Sequence, residues 1–262
     1  MNSPLPLSEA VGIQRTGVNL DRAIQCVELS QLSYANPAEA RTLALGRHGY
    51  QDFEHLDVRG GRDYLLLVDD GAVRIVAVRG SDEARDWLTN IRLWYRHSPL
   101  GWVHTGYFEA ASALLDGLER RLDGRPIYFA GHSMGGAVAT LMAALAATRG
   151  AMVAGLYTFG QPQVGLRSFN DQFRKRCGFP YFRFVHGADA FAAWTLGRYG
   201  VPGVPCYFDL KGRISFGQQL THVPRLGLKF HRLEQYRYFL RLNRMRLRVL
   251  ADSEDVTAIQ PR

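Results

Sequence analysis

Ile127-Tyr128-Phe129-Ala130-Gly131-His132-Ser133-Met134-Gly135-Gly136-Ala137-Val138-Ala139-Thr140-Leu141 is the stretch that decides the fold. Ile127 to Ala130 is a short apolar run with the character of a buried strand. An Ala-rich segment over 134–148 follows as a helix. Between them stands Gly131-His132-Ser133-Met134-Gly135, a G-x-S-x-G. Strand, sharp turn and helix in that order make a nucleophile elbow, whose glycines allow a strained turn and a close helix–strand approach. The turn is expected to lift the Ser133 hydroxyl into solvent near a helix N-terminus. The Met134 N–H then points to where the oxyanion of a tetrahedral intermediate would form.

Outward from the elbow, further strands fall at 156–159 and 181–185, with a helical segment near 165–177 between them. Strand–helix alternation of this kind predicts βαβ units and a mainly parallel sheet. Upstream, 64–68 and 73–78 flank Asp69-Asp70-Gly71, a hairpin signal that places an antiparallel contribution at one edge. Helices are predicted at 20–35 and 106–122 from apolar spacing. Residues 36–62 carry weak strand signals, and 197–217 read as loops or short strands. From His231 the pattern is helical to about 242. From Arg244 to Val249 it alternates and reads as a strand with three arginines on one face. The whole chain, 1–262, reads as a single α/β domain with helices on both faces of its sheet.

Composition bounds the function. The 262 residues are 47% hydrophobic and 21% charged, with a net charge of +8, which excludes disordered and fibrous classes. A basic balance points to polyanions, but the charge is local. Residues 1–210 hold 21 Lys/Arg against 20 Asp/Glu, whereas 211–250 hold ten against the single Glu234. A basic element at about 225–250 with interleaved apolar residues suits packing or peripheral contact with an anionic membrane. No recognition motif accompanies it, so nucleic acid is not expected as a partner. No Walker A, dinucleotide or zinc spacing occurs, so neither cofactor nor metal is expected. Cys26, Cys177 and Cys206 make no disulfide framework. With no signal-like N-terminus and no apolar run long enough to span a bilayer, the expected location is cytoplasmic.

A nucleophilic serine needs a base, and the base an orienting carboxylate, in the chain order Ser, Asp or Glu, His. Among the acids after Ser133, Asp189 follows a strand end, where catalytic loops of a parallel sheet lie. Asp171 reads as a surface charge, and Asp209 is held in reserve. His186 reads as a support for the acid loop. His222 and His231 both qualify as the base, and spacing does not choose between them.

The ordered blocks Val78-Arg79-Gly80-Ser81 with Asp86-Trp87-Leu88-Thr89-Asn90, His104-Thr105-Gly106-Tyr107, the elbow, Tyr157-Thr158-Phe159-Gly160-Gln161-Pro162-Gln163-Val164-Gly165, Arg183-Phe184-Val185-His186-Gly187-Ala188-Asp189, and His231 with Tyr236 resemble the class 3 lipase family of α/β-hydrolases over about residues 20–240. The resemblance implies Ser133 as nucleophile, Asp189 as orienting acid and His231, late and shortly before a Tyr, as base. It implies Ser81 as an oxyanion donor beside Met134, and residues 82–91 as a lid presenting Trp87, Leu88 and Ile91. His104 and Gln161 are expected to serve as structural hydrogen-bonding residues. The sequence departs from the family at Ala190-Phe191-Ala192-Ala193-Trp194 and by Met134 in place of Leu. The implied activity is hydrolysis of lipid carboxylic esters, an acylglycerol lipase. A phospholipase A-type enzyme at anionic membranes, a short-chain carboxylesterase and a non-enzymatic lipid-binding scaffold are the alternatives.

Overall fold

The computed structural model describes residues 6–58, 63–81, 94–187, 189, 202–217 and 227–252. Ten strands fall in chain order: β1 Asp52–Val58, β2 Asp63–Asp69, β3 Arg74–Val78, β4 Tyr95–Ser98, β5 Gly101–His104, β6 Ile127–His132, β7 Val153–Phe159, β8 Tyr181–His186, β9 Val204–Phe208 and β10 Ile214–Phe216. The helices are α1 Leu7–Thr16, α2 Leu20–Leu32, α3 Pro37–Thr42, α4 Thr105–Leu118, α5 Met134–Thr148, α6 Arg167–Arg176 and α7 Leu233–Asp252. Local chemistry sets several helix starts. The Asn19 side chain accepts from Arg22 N–H at 2.9 Å ahead of α2. Asn36 accepts from Glu39 N–H at 2.9 Å ahead of α3, with Pro37 in its first turn.

Eight strands form one sheet in the order β1-β2-β3-β6-β7-β8-β9-β10. From β3 to β9 neighbours pair in parallel, and β1-β2-β3 and β9-β10 pair antiparallel. Strands covered on both faces carry apolar residues on both. Along β3, Ile75 and Ala77 join the core under α1, α2 and α7, with Phe159, Phe184, Phe208 and Tyr236. Val76 and Val78 join the core under α4, α5 and α6, with Leu114, Phe129, Leu141 and Phe169.

The α/β-hydrolase sheet and its hairpin at β2–β3 match the sequence reading. The structure differs elsewhere. Antiparallel pairing closes both edges of the sheet, because β9–β10 forms within 197–217. A separate two-stranded ribbon, β4–β5, stands outside the main sheet. Its four-residue strands are too short to show periodicity. The strand expected over 244–249 is the continuation of α7. Leu233, Tyr236, Leu240, Asn243 and Leu250 hold one buried line at helical spacing, and Arg244 turns aside to a bidentate pair with Asp21 of α2 at 2.6 and 2.7 Å. Arginines at every second position imitate a strand, but the buried line requires a helix.

Candidate active site

The end of β6 delivers Ser133 at φ 55°, ψ −130°, the single non-glycine residue with positive φ among those described. Its backbone is held on both sides. Ser133 N–H donates to Phe159 O at 2.9 Å, and Gly136 N–H donates to Ser133 O at 3.0 Å. Three glycines make the turn possible. A Cβ at Gly131 would fall on the Gly135 carbonyl group, and one at Gly135 on the Val78 carbonyl. One at Gly136 would lie 3.0 Å from the Gly131 carbonyl oxygen. The first turn of α5 is thereby pressed against the ends of β3 and β6. Ser81, three residues beyond β3, follows Gly80, whose own Cβ would come within 2.7 Å of the His132 carbonyl oxygen. The end of β3 and Met134 therefore flank the same turn.

Contrary to the expectation of an exposed hydroxyl, Ser133 is buried, at 2% exposure. Gly80 crowds the turn from one side, and His132 and His231 lie across it, ring centroids 4.5 Å apart.

Asp189 follows β8 and is tied by a backbone bridge to Gly227. This bridge brings the 228–231 turn, and with it His231, beside the acid. His231 Nδ1–H donates to Asp189 Oδ2 at 2.8 Å. The Tyr236 hydroxyl, one turn into α7, donates to the same oxygen at 2.6 Å and accepts from His186 N–H at 3.1 Å. Asp189 is wholly buried. Burial alone would raise its carboxyl, but the His231 and Tyr236 hydrogen bonds and the His231 charge outweigh burial and hold it below the usual carboxylate range. The Tyr236 phenol is pushed well above its ordinary value, first by burial and then by the Asp189 charge.

Gly160, at the end of β7 with φ +58°, lies directly against this pair. A Cβ there would stand 2.7 Å from Asp189 Oδ2 and 2.8 Å from His231 Nδ1. The Thr-Phe-Gly block thus leaves space for the Asp189–His231 pair, a role that sequence reasoning had not assigned to Gly160.

His132, beside the serine, has Nε2 2.7 Å from the His231 carbonyl oxygen and Nδ1 3.2 Å from the Tyr34 hydroxyl. Burial, and then the neighbouring His231, lower it to about 3. Tyr34 is a second residue the sequence reading missed, because its link to the elbow spans 98 positions.

The other candidates have different places. Asp209 closes the β9–β10 turn, accepting from Lys211 and Arg213 N–H and pairing with Arg213 at 2.7 Å. It is engaged there and not with His231. His186 stacks between Phe230 and Phe239, with centroids at 5.0 and 5.4 Å. The Tyr181 hydroxyl donates to Gln161 Oε1 at 2.7 Å, and His104 Nδ1 accepts from Tyr107 N–H at 3.4 Å at the start of α4. His222, the lid-like segment 82–91 with Trp87, Leu88 and Ile91, and residues 190–194 lie outside the described residues. Among the described residues no cluster of three His, Cys, Asp or Glu side chains has the arrangement to hold a metal.

A mainly parallel sheet with a strained serine elbow at one strand end defines the α/β-hydrolase fold. Residues 75–196 match the class 3 lipase family. A secreted mono- and diacylglycerol lipase of Fusarium solani is 35% identical over 125 residues, which cover 44% of this chain and 37% of that protein. Toxin TseL of Vibrio cholerae is 37% identical over 92 residues, 34% of this chain and 14% of that protein. The matched segments thus span well under half the length of either curated relative. Lipase II of Rhizopus niveus shares the fold, with a TM-score of 0.68 at 18% identity over 81% of this chain and 92% of its own.

Two outcomes are expected. Gly160→Ala should leave the protein folded and lower kcat on a soluble ester by about 100-fold, because an intruding methyl displaces Asp189 and His231. Thermal melts and steady-state kinetics check this. His132 takes a proton near 6.5 when unfolded but only at about 3 when folded. The unfolded state therefore binds more protons between those values, and stability falls as pH falls through that window. At pH 5 the loss relative to pH 7 should be about 2 kcal/mol. Urea unfolding should show this loss in the native protein and not in His132→Gln.

Proposed function

We propose that the chain is a serine hydrolase of lipid carboxylic esters, acting through an acyl-enzyme, with Ser133 as nucleophile, His231 as base and Asp189 as orienting acid. The observation that carries this reading is the buried Asp189–His231 hydrogen bond placed at the strand end next to the serine elbow. His231 takes the Ser133 proton as Oγ attacks the ester carbonyl. The oxyanion is held by the Met134 N–H, which lies in the first turn of α5 and so has no intrahelical acceptor, and by Ser81. The charge that forms on His231 is matched by Asp189, kept ionised by its two donors. Collapse breaks the ester C–O bond, and the alcohol leaves with the proton from His231. Water, deprotonated in turn by His231, attacks the acyl-enzyme, and carboxylic acid and free Ser133 are released.

The substrate class rests on the matched family and on the Fusarium solani relative, named for mono- and diacylglycerols. Acylglycerol is accordingly the first reading. A phospholipase A-type activity at anionic membranes is favoured by one observation. The outer face of α7 carries Tyr238 and Met245, 54% and 41% exposed, among Arg241 and Arg248. Apolar insertion flanked by guanidinium groups suits an anionic lipid surface. Residues 82–91 would act there as a lid. No helix among the described residues is long and apolar enough to cross a membrane, so contact would be peripheral. The buried free cysteines Cys26, Cys177 and Cys206 support a reducing, cytoplasmic location, whereas the Fusarium solani relative is named as secreted.

A fluorophosphonate probe should label the native protein, and Ser133→Ala should abolish both labelling and hydrolysis of a panel of tributyrin, long-chain triacylglycerol, phosphatidylglycerol and p-nitrophenyl esters. Labelling that survives the substitution overturns the assignment. Binding to phosphatidylglycerol vesicles should exceed binding to phosphatidylcholine vesicles and weaken with added salt. Equal binding to both removes the membrane role of α7.

A further inference from the structure

Resting on the triad proposed above, we infer that His132 is a positioning residue, whose Nε2–H donates to the backbone carbonyl of His231 and thereby sets the base relative to the nucleophile next to it in the chain.

The hydrogen-bond roles follow from elementary constraints. A carbonyl oxygen can only accept, so the 2.7 Å contact to His231 O requires the hydrogen on His132 Nε2. A neutral imidazole then presents a lone pair at Nδ1, which accepts from the Tyr34 hydroxyl at 3.2 Å. One tautomer therefore satisfies both neighbours. Burial and the facing His231 keep the ring uncharged down to about pH 3, against the weaker pull of Asp189. An imidazolium beside His231 would oppose the charge that His231 must acquire, and the neutral ring avoids this.

The location gives the bond its purpose. His231 lies at the end of a short 3-10 turn, Leu228–His231, and Arg232, in extended conformation, separates it from α7. Its main chain is thus at a joint between elements rather than inside one. The His132 bond crosses 99 residues of sequence and ties that joint to the residue before Ser133. On the other side the Tyr34 hydroxyl packs against Gly80, which has no room for a side chain, next to the oxyanion candidate Ser81. A single polar chain from Tyr34 through His132 to the His231 carbonyl thus links the segments that hold the oxyanion donor, the nucleophile and the base. Displacements of about 1 Å between reacting groups cost on the order of 100-fold in rate.

The test compares three variants on p-nitrophenyl butyrate, with fluorophosphonate labelling rate and thermal melting measured alongside. His132→Leu fills the site without a donor. His132→Gln carries an amide N–H at the reach of Nε2, whereas His132→Asn places its amide near Nδ1, toward Tyr34. The expected result is a kcat lowered about 10- to 100-fold in His132→Leu with KM within about twofold, recovery of most of kcat and of the labelling rate in His132→Gln, and no recovery in His132→Asn. A His132→Leu kcat within twofold of the native value overturns the inference. So does recovery by His132→Asn but not His132→Gln, which would assign the role to the Tyr34 contact. If His132→Leu does not fold, the Gln–Asn contrast decides alone, and equal kcat in those two overturns it. A native protein that neither reacts with the probe nor hydrolyses any ester would instead overturn the hydrolase reading itself.

Discussion

The close approach of α5 to the ends of β3 and β6 is the constraint on which the site depends. Side chains are excluded at Gly131 and Gly135 because backbone occupies the space they would need, and Gly136 leaves a Cβ only a tight fit. The approach fixes Ser133 in a left-handed conformation that a residue with a side chain adopts only under constraint. It also brings Gly80 and Ser81 against the same turn. The small residues of α5 extend this logic inward: Ala137, Ala139, Ala143 and Ala144 are fully buried, so the helix lies near the sheet along its length. Loosening the contact at one end would shift the serine, the first-turn N–H groups and the end of β3 together.

Around this turn, Asp189 has a different kind of support. A buried carboxylate is costly unless donors surround it, and here two converge on one oxygen. Tyr236 supplies the second from α7, the helix that begins just after His231, so the Asp189–His231 pair is held by one element. His186 extends the arrangement through its backbone N–H on Tyr236 and its ring between Phe230 and Phe239. Asp189, the 228–231 turn and α7 therefore share one packed unit.

Much of this was legible in the sequence and some was not, for physical reasons. The elbow was readable because its glycines, strand and helix are contiguous. Asp189 was singled out by its position after an apolar run, and the structure sets it against His231. His222 and His231 could not be separated by spacing, since both follow Asp189 in the required chain order and the distance along the chain does not choose between them. The contacts that place His231 are a backbone bridge from Asp189 to Gly227 and the Tyr236 hydroxyl, neither of which leaves a periodic signal. The strand reading of 244–249 failed because alternating arginines dominated a window too short to show the line from Leu233 to Leu250. The ribbon β4–β5 and the Tyr34–His132 contact are tertiary facts with no local pattern.

The joint between α2 and α7 has a consequence for the life of the chain. Arg241 pairs with Glu28 and Arg244 with Asp21, partners 213 and 223 residues apart. During synthesis the serine and its elbow emerge well before the helix that follows the base. Under the proposed triad, a ribosome-bound chain holds Ser133 without His231, and a serine without its base is a poor nucleophile. The proposed site is then complete only once α7 has closed against α2. For a protein proposed to attack lipid esters, that order of assembly would delay reactivity until α7 has docked.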